Sequence, residues 1–137
     1  MTRLVKVVFA VIAVAGISIA SVAAQTKAAT PIRGEAEIGY LKPVTVVDQK
    51  AGIVRTTIKV KNLSATGSIA GLKVEEFWFD KGGNPVTGSK ARLPKPLMPL
   101  EIVELKLETP KDPKMFQNTY TFSHANGKIK TKNMKAF

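Results

Sequence analysis

The sequence predicts an all-β domain, an antiparallel β-sandwich of immunoglobulin-like or fibronectin-like type with about seven strands. Two windows alternate apolar and polar side chains with a period of two, and dense turn signals separate the apolar runs. No window keeps a helical period, and five prolines between Ala91 and Lys114 exclude a long helix there. A signal-peptide helix is predicted to precede this domain.

The length and composition of the chain favour one small folded domain. Its 137 residues include 21 Lys and Arg against 10 Asp and Glu, one His and no Cys, and 45% of them are hydrophobic. This apolar content is too high for a disordered tail, and the lack of cysteine excludes disulfide scaffolds and cysteine-ligated metal sites. Packing alone is therefore expected to hold a basic domain together.

The first segment has the layout of a secretory signal peptide. Arg3 and Lys6 precede an apolar run from Val7 to Ala15, and small residues follow up to Ala24. Because signal peptidase requires small residues at its site, we predict cleavage after Ala24 and a secreted or periplasmic protein. A retained membrane anchor is the alternative, since the uncharged stretch reaches the lower limit for spanning a bilayer. The predicted organisation is a signal peptide over 1–24, a flexible lead-in over 25–33 and the β-sandwich over 34–137.

Successive strands are predicted from alternation and from the turns between them. In the run 53–61 the even-numbered residues are apolar or threonine, and the odd-numbered ones after Ile53 are polar or charged, as a sheet with one exposed face requires. Val103, Leu105 and Leu107 alternate in the same way, and Asn126-Gly127 is a strong hairpin signal. The predicted strands are one or two within Glu35–Asp48, then Ile53–Lys61, Leu72–Phe79, a run from Val86, Glu101–Glu108, Tyr120–Ser123 and Lys128–Thr131.

One predicted strand departs from simple alternation at its aromatic end. Leu72 and Val74 are apolar, but the run then continues through three adjacent aromatic residues, Phe77, Trp78 and Phe79. Either a bulge shifts the register near Glu75 and Glu76, or both faces are covered. We expect Trp78 to be the central aromatic residue of the core. In the alternative, Phe77 and Phe79 on the opposite face form an exposed aromatic interface for a partner.

A family resemblance rests on short motifs spread over residues 53–109. They are Val60-Lys61-Asn62-Leu63-Ser64, then Glu76-Phe77-Trp78-Phe79-Asp80 with a glycine turn, and later Pro99-Leu100-Glu101. In these the chain resembles the FxLYD-type domain of bacteria and archaea. The chain departs from that pattern at Glu76, where the family has Phe, and at Leu100, where it has Gly. The resemblance implies a secreted or envelope β-sandwich without assigned catalytic residues, and side chains such as Asn62 and Asp80 that cap turns.

The sequence offers little that would support catalysis. The single histidine, His124, lies beside the predicted Asn126-Gly127 turn, so a surface group that forms hydrogen bonds or responds to pH is expected. Ser123 points to the opposite face of the strand and cannot pair with it in the usual way. Glu75 and Glu76 also alternate faces, and we expect them to be solvated charges. The chain is therefore predicted not to be an enzyme and to need no cofactor.

Metal and phosphate sites are also not expected. The methionines Met98, Met115 and Met134 and the histidine His124 are soft ligands in principle, but their spacing matches no ligand motif. Gly82-Gly83 lacks the Lys-Ser/Thr ending and the helix of a phosphate-binding loop. No metal ligand is therefore predicted.

Two rows of basic residues are the strongest candidate binding feature. Lys128, Lys130 and Lys132 alternate on the last strand, with Lys135 beyond, and Arg55, Lys59 and Lys61 share the polar face of another strand. Because alternate residues of a strand share a face, each row places positive charges about 6–7 Å apart. Such rows attract anionic polymers and lose affinity as salt rises. They also protect edge strands from aggregation, which is the alternative role.

The sequence therefore predicts a non-catalytic binding module that engages a protein or cell-envelope partner. The alternative function is a basic adhesive domain that binds anionic polymers or a membrane surface through the lysine rows. Specific nucleic-acid recognition is not expected, because no aromatic residue is interleaved with the lysines to stack on bases.

Overall fold

Ten strands make up the regular structure of residues 29–137, the part of the chain that the computed structural model describes. They are β1 (Thr30–Pro31), β2 (Ala36–Leu41), β3 (Val44–Asp48), β4 (Ile53–Asn62), β5 (Gly67–Ser68), β6 (Lys73–Phe79), β7 (Pro85–Arg92), β8 (Ile102–Pro110), β9 (Gln117–His124) and β10 (Gly127–Met134). The all-β class is confirmed, and these residues include no helix capable of crossing a membrane. The predicted signal peptide and its cleavage site at Ala24 lie outside them.

Eight strands form one curled sheet with two limbs. The first limb holds β8, β4, β2, β3 and β10, and the second limb holds β9, β6 and β7. β8 pairs with β4 from Ile53 to Lys61, so β2 and β3 lie end to end along the other side of β4. The hairpin between β9 and β10 joins the limbs, while β1 and β5 form a separate short pair. This pair includes Thr30 and Pro31 from the segment predicted to be a lead-in.

The sheet is mixed, whereas a purely antiparallel arrangement was expected. β10 runs parallel to β2, with Ile129 opposite Ala36 and Met134 opposite Leu41. Hairpin turn sequences predict pairing only between consecutive strands. β2 and β10 are near opposite ends of the domain sequence, so no such sequence predicts their pairing. The result is a curled, half-barrel arrangement of two limbs.

The core between the limbs is aliphatic. The predicted alternation is confirmed in β4, where Val54, Thr56, Ile58 and Val60 are buried, and in β8, where Leu105 and Leu107 are buried. Each such isoleucine, leucine or valine contributes about 1.5–3 kcal/mol by leaving water. The buried cluster comprises Ala36, Ile38, Ile58, Val60, Ile69, Leu72, Val74, Leu93, Leu97, Leu105 and Leu107, with Tyr40, Tyr120 and Phe122 at its margin.

The expectation that Trp78 is the central core aromatic residue is wrong. Trp78 faces inward on β6, opposite in direction to Phe77 and Phe79, but it is only half-buried and lies outside the aliphatic cluster. The register irregularity also differs from the prediction. It falls between Trp78 and Phe79 in the pairing with β7, where Thr87 and Pro85 are the partners, and not near Glu75.

Asparagine and aspartate side chains hold two turns, as predicted. Asp80 Oδ1 accepts hydrogen bonds from the backbone N–H groups of Gly82 and Asn84, both at 2.9 Å. These bonds, the one from Asn84 first, hold the pKa of Asp80 below its ordinary value. Asn62 is completely buried and donates to the carbonyl groups of Gly67 and Leu97 at 2.8 and 3.2 Å. Asn62 therefore joins β4 to the segments that close one end of the core.

Leu100 adopts a left-handed backbone conformation, with φ of 59°. The N–H of Glu101 donates to the carbonyl of Met98 at 3.1 Å, so Met98 to Glu101 form a turn with Pro99 and Leu100 at its centre. This arrangement is typical of a type II turn, in which the position of Leu100 favours glycine. The turn leads directly into β8.

Candidate functional site

The outer face of the first limb carries lysines from both predicted rows. Gly39 of β2 is paired with Lys132 of β10 on one side and with Lys61 of β4 on the other. The two rows are therefore about 10 Å apart, which is two strand spacings. Lys128 and Lys130 alternate with Lys132 on β10. We call Lys59, Lys61, Lys128, Lys130 and Lys132 the basic face.

The basic face has an excess of positive charge. The acidic residues paired with its lysines are Glu37, opposite Lys130, and Glu104, opposite Lys59. Within residues 29–137, no carboxylate lies within 4.0 Å of the amines of these five lysines. Four of the five lysines are exposed, and Lys61 is half-buried. The surface therefore presents several solvated amines on one face of the sheet.

Arg55 lies on the same side of β4 but contributes differently. Its guanidinium contacts Asp48 at 3.2 Å and also pairs with Glu108. A backbone hydrogen bond from Ala51 and then the Arg55 contact hold the pKa of Asp48 below its ordinary value. Because two carboxylates balance Arg55, it adds no net positive charge to the surface. Lys135, the last lysine of the predicted row, is exposed just after β10.

Small and apolar groups fill the space between the two lysine rows. A Cβ on Gly39 would overlap the sulfur of Met134 and would approach Leu63 to 3.4 Å. The Met134 side chain therefore lies over the glycine, and it fixes the end of β10 against β2. Met134 thus has a packing role on this surface.

The predicted aromatic interface lies on the outer face of the second limb. Phe77 is 41% exposed and is paired with Gly88 of β7 and Thr119 of β9, while Phe79 is half-buried. A depression of about 260 Å³ lies beside Phe77, lined by Glu75, Glu76, Phe77, Gly88, Ser89 and Lys90. The basic face and this aromatic position are thus on the outer faces of different limbs.

Glu76 is buried, and the expectation that it is a solvated charge is wrong. Its exposed fraction is 0%, and its carboxylate accepts four hydrogen bonds. The donors are Trp78 Nε1 at 2.7 Å, Thr109 Oγ1 at 2.8 Å, Thr56 Oγ1 at 2.9 Å and Asn118 Nδ2 at 3.5 Å. These donors come from β4, β6, β8 and β9, so the carboxylate joins both limbs. A buried carboxylate needs such partners because burial removes its hydration.

Tyr120 extends this polar cluster. Its hydroxyl accepts a hydrogen bond from Asn118 Nδ2 at 2.8 Å. Burial, and next the nearby charge of Glu76, raise the pKa of Tyr120 to about 12. The tyrosine is therefore a neutral phenol at physiological pH.

His124 is buried, whereas a surface position was expected. It is 8% exposed, and its Nε2 lies 2.8 Å from the carbonyl oxygen of Gly34. Its Nδ1 accepts from the N–H of Asn126 at 3.4 Å. Both ring nitrogens therefore contact the backbone and attach the β9–β10 hairpin to residue 34. The predicted hydrogen-bonding role is confirmed, but the group is structural.

Sequence reasoning missed a second depression, at the end of the second limb. It measures about 330 Å³ and lies between the turn at Asp80–Gly82 and the loop at Pro113–Phe116. Phe116 is 58% exposed, and the amine of Lys81 lies 5.9 Å from the centre of its ring. A cluster of proline, lysine and aromatic residues is the only sequence signal for it.

No metal centre is evident within residues 29–137, which contain no group of three or more His, Asp or Glu side chains that could hold an ion. Met115 accepts a hydrogen bond from the Asp112 N–H at 3.3 Å, and Met134 packs on Gly39. Met115 and Met134 therefore each have a local structural contact of their own.

Comparison with solved structures finds a similar fold. No protein-family model matches the chain, and no curated protein matches it by sequence. Its fold is similar to that of IrmA from Escherichia coli, with a TM-score of 0.51 and 12% sequence identity over 74% of this chain and 94% of that one. At this identity the likeness concerns the fold alone.

Proposed function

We propose that this chain is an exported, non-catalytic module that binds a partner at the cell envelope. The observation that carries the proposal is the basic face, where two separate strands place lysines on one side of a single sheet. Such a surface recognises anionic groups without a deep pocket. Phosphates or carboxylates of an envelope polymer or a membrane surface have the matching chemistry.

The non-catalytic character is proposed from the roles of the two buried titratable side chains. Both nitrogens of His124 contact backbone groups, and the carboxylate of Glu76 accepts bonds from four protein donors. Side chains committed in this way have little capacity left to accept or donate a substrate proton.

We also propose that the fold is a distorted immunoglobulin-like sandwich of the FxLYD type. The left-handed conformation of Leu100, where that family has glycine, and the turn-capping contacts of Asn62 and Asp80 support this relationship. An experimental structure in which the limb of β9, β6 and β7 does not pack across the aliphatic core from the limb of β8, β4 and β2, as the second sheet of a sandwich would, contradicts it.

Export is proposed from the N-terminal sequence alone. Expression of the full chain in a bacterial host, followed by N-terminal sequencing of the exported form, would test it. A mature protein beginning at Gln25 supports cleavage after Ala24. A membrane-bound chain with an uncleaved N-terminus would favour the retained anchor.

The test of the basic face is a charge-neutralised variant with a matched control. One variant changes Lys59, Lys61, Lys128, Lys130 and Lys132 to glutamine, and the other changes Lys81, Lys90, Lys95, Lys111 and Lys114 to glutamine. Both lose the same charge, but only the first alters the basic face. Binding to phosphatidylglycerol vesicles and to soluble anionic wall polymer is measured at increasing salt, with thermal unfolding as a check on folding.

We expect the wild type and the control variant to bind and to weaken as salt rises, because exposed charges are screened. The basic-face variant should fail to bind even at low salt, where the wild type binds most tightly. Equal loss in both variants would show that only net charge matters and would refute a defined site. Preference for vesicles or for polymer identifies the source of the anionic group.

The second candidate function is binding of a protein partner at the aromatic position. The exposure of Phe77 at the centre of the second limb favours it, because solvent-exposed aromatic residues are common at interfaces. Partner capture from envelope extract on residues 25–137 should then survive physiological salt and be lost on Phe77→Ser. Capture that persists in this variant would remove the aromatic position from consideration.

A further inference from the structure

We infer that β3 is a docking edge for an extended acidic segment of a partner protein, which would join the sheet as an additional strand. This inference goes beyond the proposed function, because it concerns a different surface from the basic face. It rests on the pairing, the exposure and the charges around residues 44–48.

β2 and β3 together form the neighbour of β4 on one side, and β10 pairs with the outer edge of β2 but not with that of β3. Tyr40 is opposite Val60 and Val44 is opposite Thr57, so β2 and β3 run along the same side of β4 with one extra residue between them. β10 covers the outer edge of β2 and ends at Met134, opposite Leu41. Among residues 29–137, β3 pairs with β4 alone. Its second row of main-chain groups therefore has no strand neighbour.

Among the strands of residues 29–137, β3 also exposes the most large apolar side chains. Val44, Val46 and Val47 are 62%, 59% and 46% exposed. Val47 belongs to the inward face, because it pairs with buried Val54. A strand added beside β3 would cover this valine and would extend the sheet over the margin of the core.

The residues of β3 itself carry none of the protection that is usual on edge strands. Natural sheets place lysines, prolines or bulges on exposed edges to prevent pairing with other chains. β10 has three such lysines, but Val44–Asp48 is a regular ladder without lysine or proline. Lys42, Pro43 and Lys50 only border this strand, so the ladder of residues 44–48 itself is open to pairing.

The chemistry of β3 points to a polypeptide as the occupant. Its side chains from Val44 to Val47 are apolar or hydroxyl-bearing, and the carboxylate of Asp48 is bound by Arg55. A sugar or phosphate polymer would find no charged partner on the strand itself. An extended peptide can satisfy the main-chain groups and pack alternate apolar side chains on the valines.

Charge distinguishes a foreign strand from a second copy of this chain. Exposed lysines flank β3 at Lys42 and Lys50. In a symmetric antiparallel pair centred on Val46, Lys42 of one copy would face Lys50 of the other, and directly opposed like charges destabilise a sheet. The chain as a whole carries a net charge of +11. A segment with acidic ends and an apolar centre is therefore the complementary partner.

The experiment uses a short blocked peptide of alternating valine and threonine with glutamate at both ends, added to the labelled full domain. Amide shifts are followed by NMR up to about 1 mM peptide, a range in which dissociation constants near 1 mM can be measured. We expect saturable shifts of residues 44–48. A version with proline for threonine should not bind, because it cannot donate ladder hydrogen bonds, and a version with lysine ends should bind more weakly.

Two protein variants complete the test. Val44→Thr with Val46→Thr keeps β propensity but removes apolar contact, and it should weaken binding about five-fold. Lys128→Gln with Lys130→Gln and Lys132→Gln should leave it within about two-fold, since exposed charges at a distance are screened.

Four outcomes would overturn the inference. The first two are no shift of residues 44–48 and equal binding of the proline-containing peptide. The other two are loss of binding in the protein variant with Lys128, Lys130 and Lys132 replaced by glutamine, and concentration-dependent self-association through β3 without peptide. Loss of binding only in this protein variant would instead support the basic face as the binding site for the peptide, so the two proposals can fail separately.

Discussion

Trp78 donates a hydrogen bond from its indole nitrogen to the carboxylate of Glu76, two residues earlier on the same strand, at 2.7 Å. Both side chains face inward, since residues two apart on a strand share a face. The half-buried indole therefore covers the buried carboxylate at the margin of the aliphatic core.

Replacement of Glu76 by glutamine should destabilise the domain. The four groups around its carboxylate all donate, so an amide would place an N–H₂ group against donors and cost about 1–3 kcal/mol of unfolding free energy. Chemical unfolding followed by Trp78 fluorescence measures this. Glu75→Gln, on the opposite face, is the control and should change stability little. Similar effects of both changes would contradict a special role for the buried cluster.

Leu100→Gly should stabilise the protein, although it removes a side chain. A leucine with φ of 59° is strained, and relief of this strain exceeds the added flexibility of the unfolded chain by about 0.5–1 kcal/mol. Leu100→Ala keeps the strain and should bring no gain. Thermal unfolding compares the three proteins, and a lower melting temperature for the glycine variant would show that the strain at Leu100 does not outweigh the added flexibility of the unfolded chain.

Asn62→Ala should lower the unfolding free energy by about 3 kcal/mol, because buried carbonyl groups would lose their donor. Asn62 is fully buried and also accepts from the Ser64 N–H at 3.0 Å. Asn84→Ala, in an exposed turn, should cost less than about 0.5 kcal/mol. Urea unfolding measures both, and equal costs would show that burial of Asn62 is unimportant.

The stability of the domain should fall at alkaline pH because of Tyr120. Its folded-state pKa is raised from 10.0 to about 12, so the folded protein holds this proton more tightly than the unfolded chain does. The contribution is complete below about pH 10 and is lost as pH rises through about 12. Tyr120→Phe should lessen this decline, whereas Tyr40→Phe should keep it. Unfolding measured between pH 9 and pH 12 tests the difference, with ultraviolet titration of the phenol as a direct readout.

The alternation along single strands predicted much of the core. In β4 and β8 the side chains expected to face inward are those that are buried, because a strand with one exposed face must alternate. The Asn126-Gly127 signal likewise identified the β9–β10 hairpin, in which His124 pairs with Gly127. These features depend on residues that are close in sequence.

Features that depend on distant residues could not be predicted in the same way. The burial of Glu76 requires Thr56, Thr109 and Asn118, which come from three other strands. The two lysine rows were each recognised, but their common face becomes visible only when β2 is placed between β4 and β10. No local pattern reports that arrangement.

The parallel pairing of β2 with β10 also governs when the domain can finish folding. Ala36, in the first long strand, has Ile129 of the last strand as its neighbour. Nearly the whole domain must therefore emerge from the ribosome before this ladder can form, and contacts so distant in sequence close slowly. Until then the chain remains incompletely folded, which is the state in which a chain can be threaded through a narrow translocation pore.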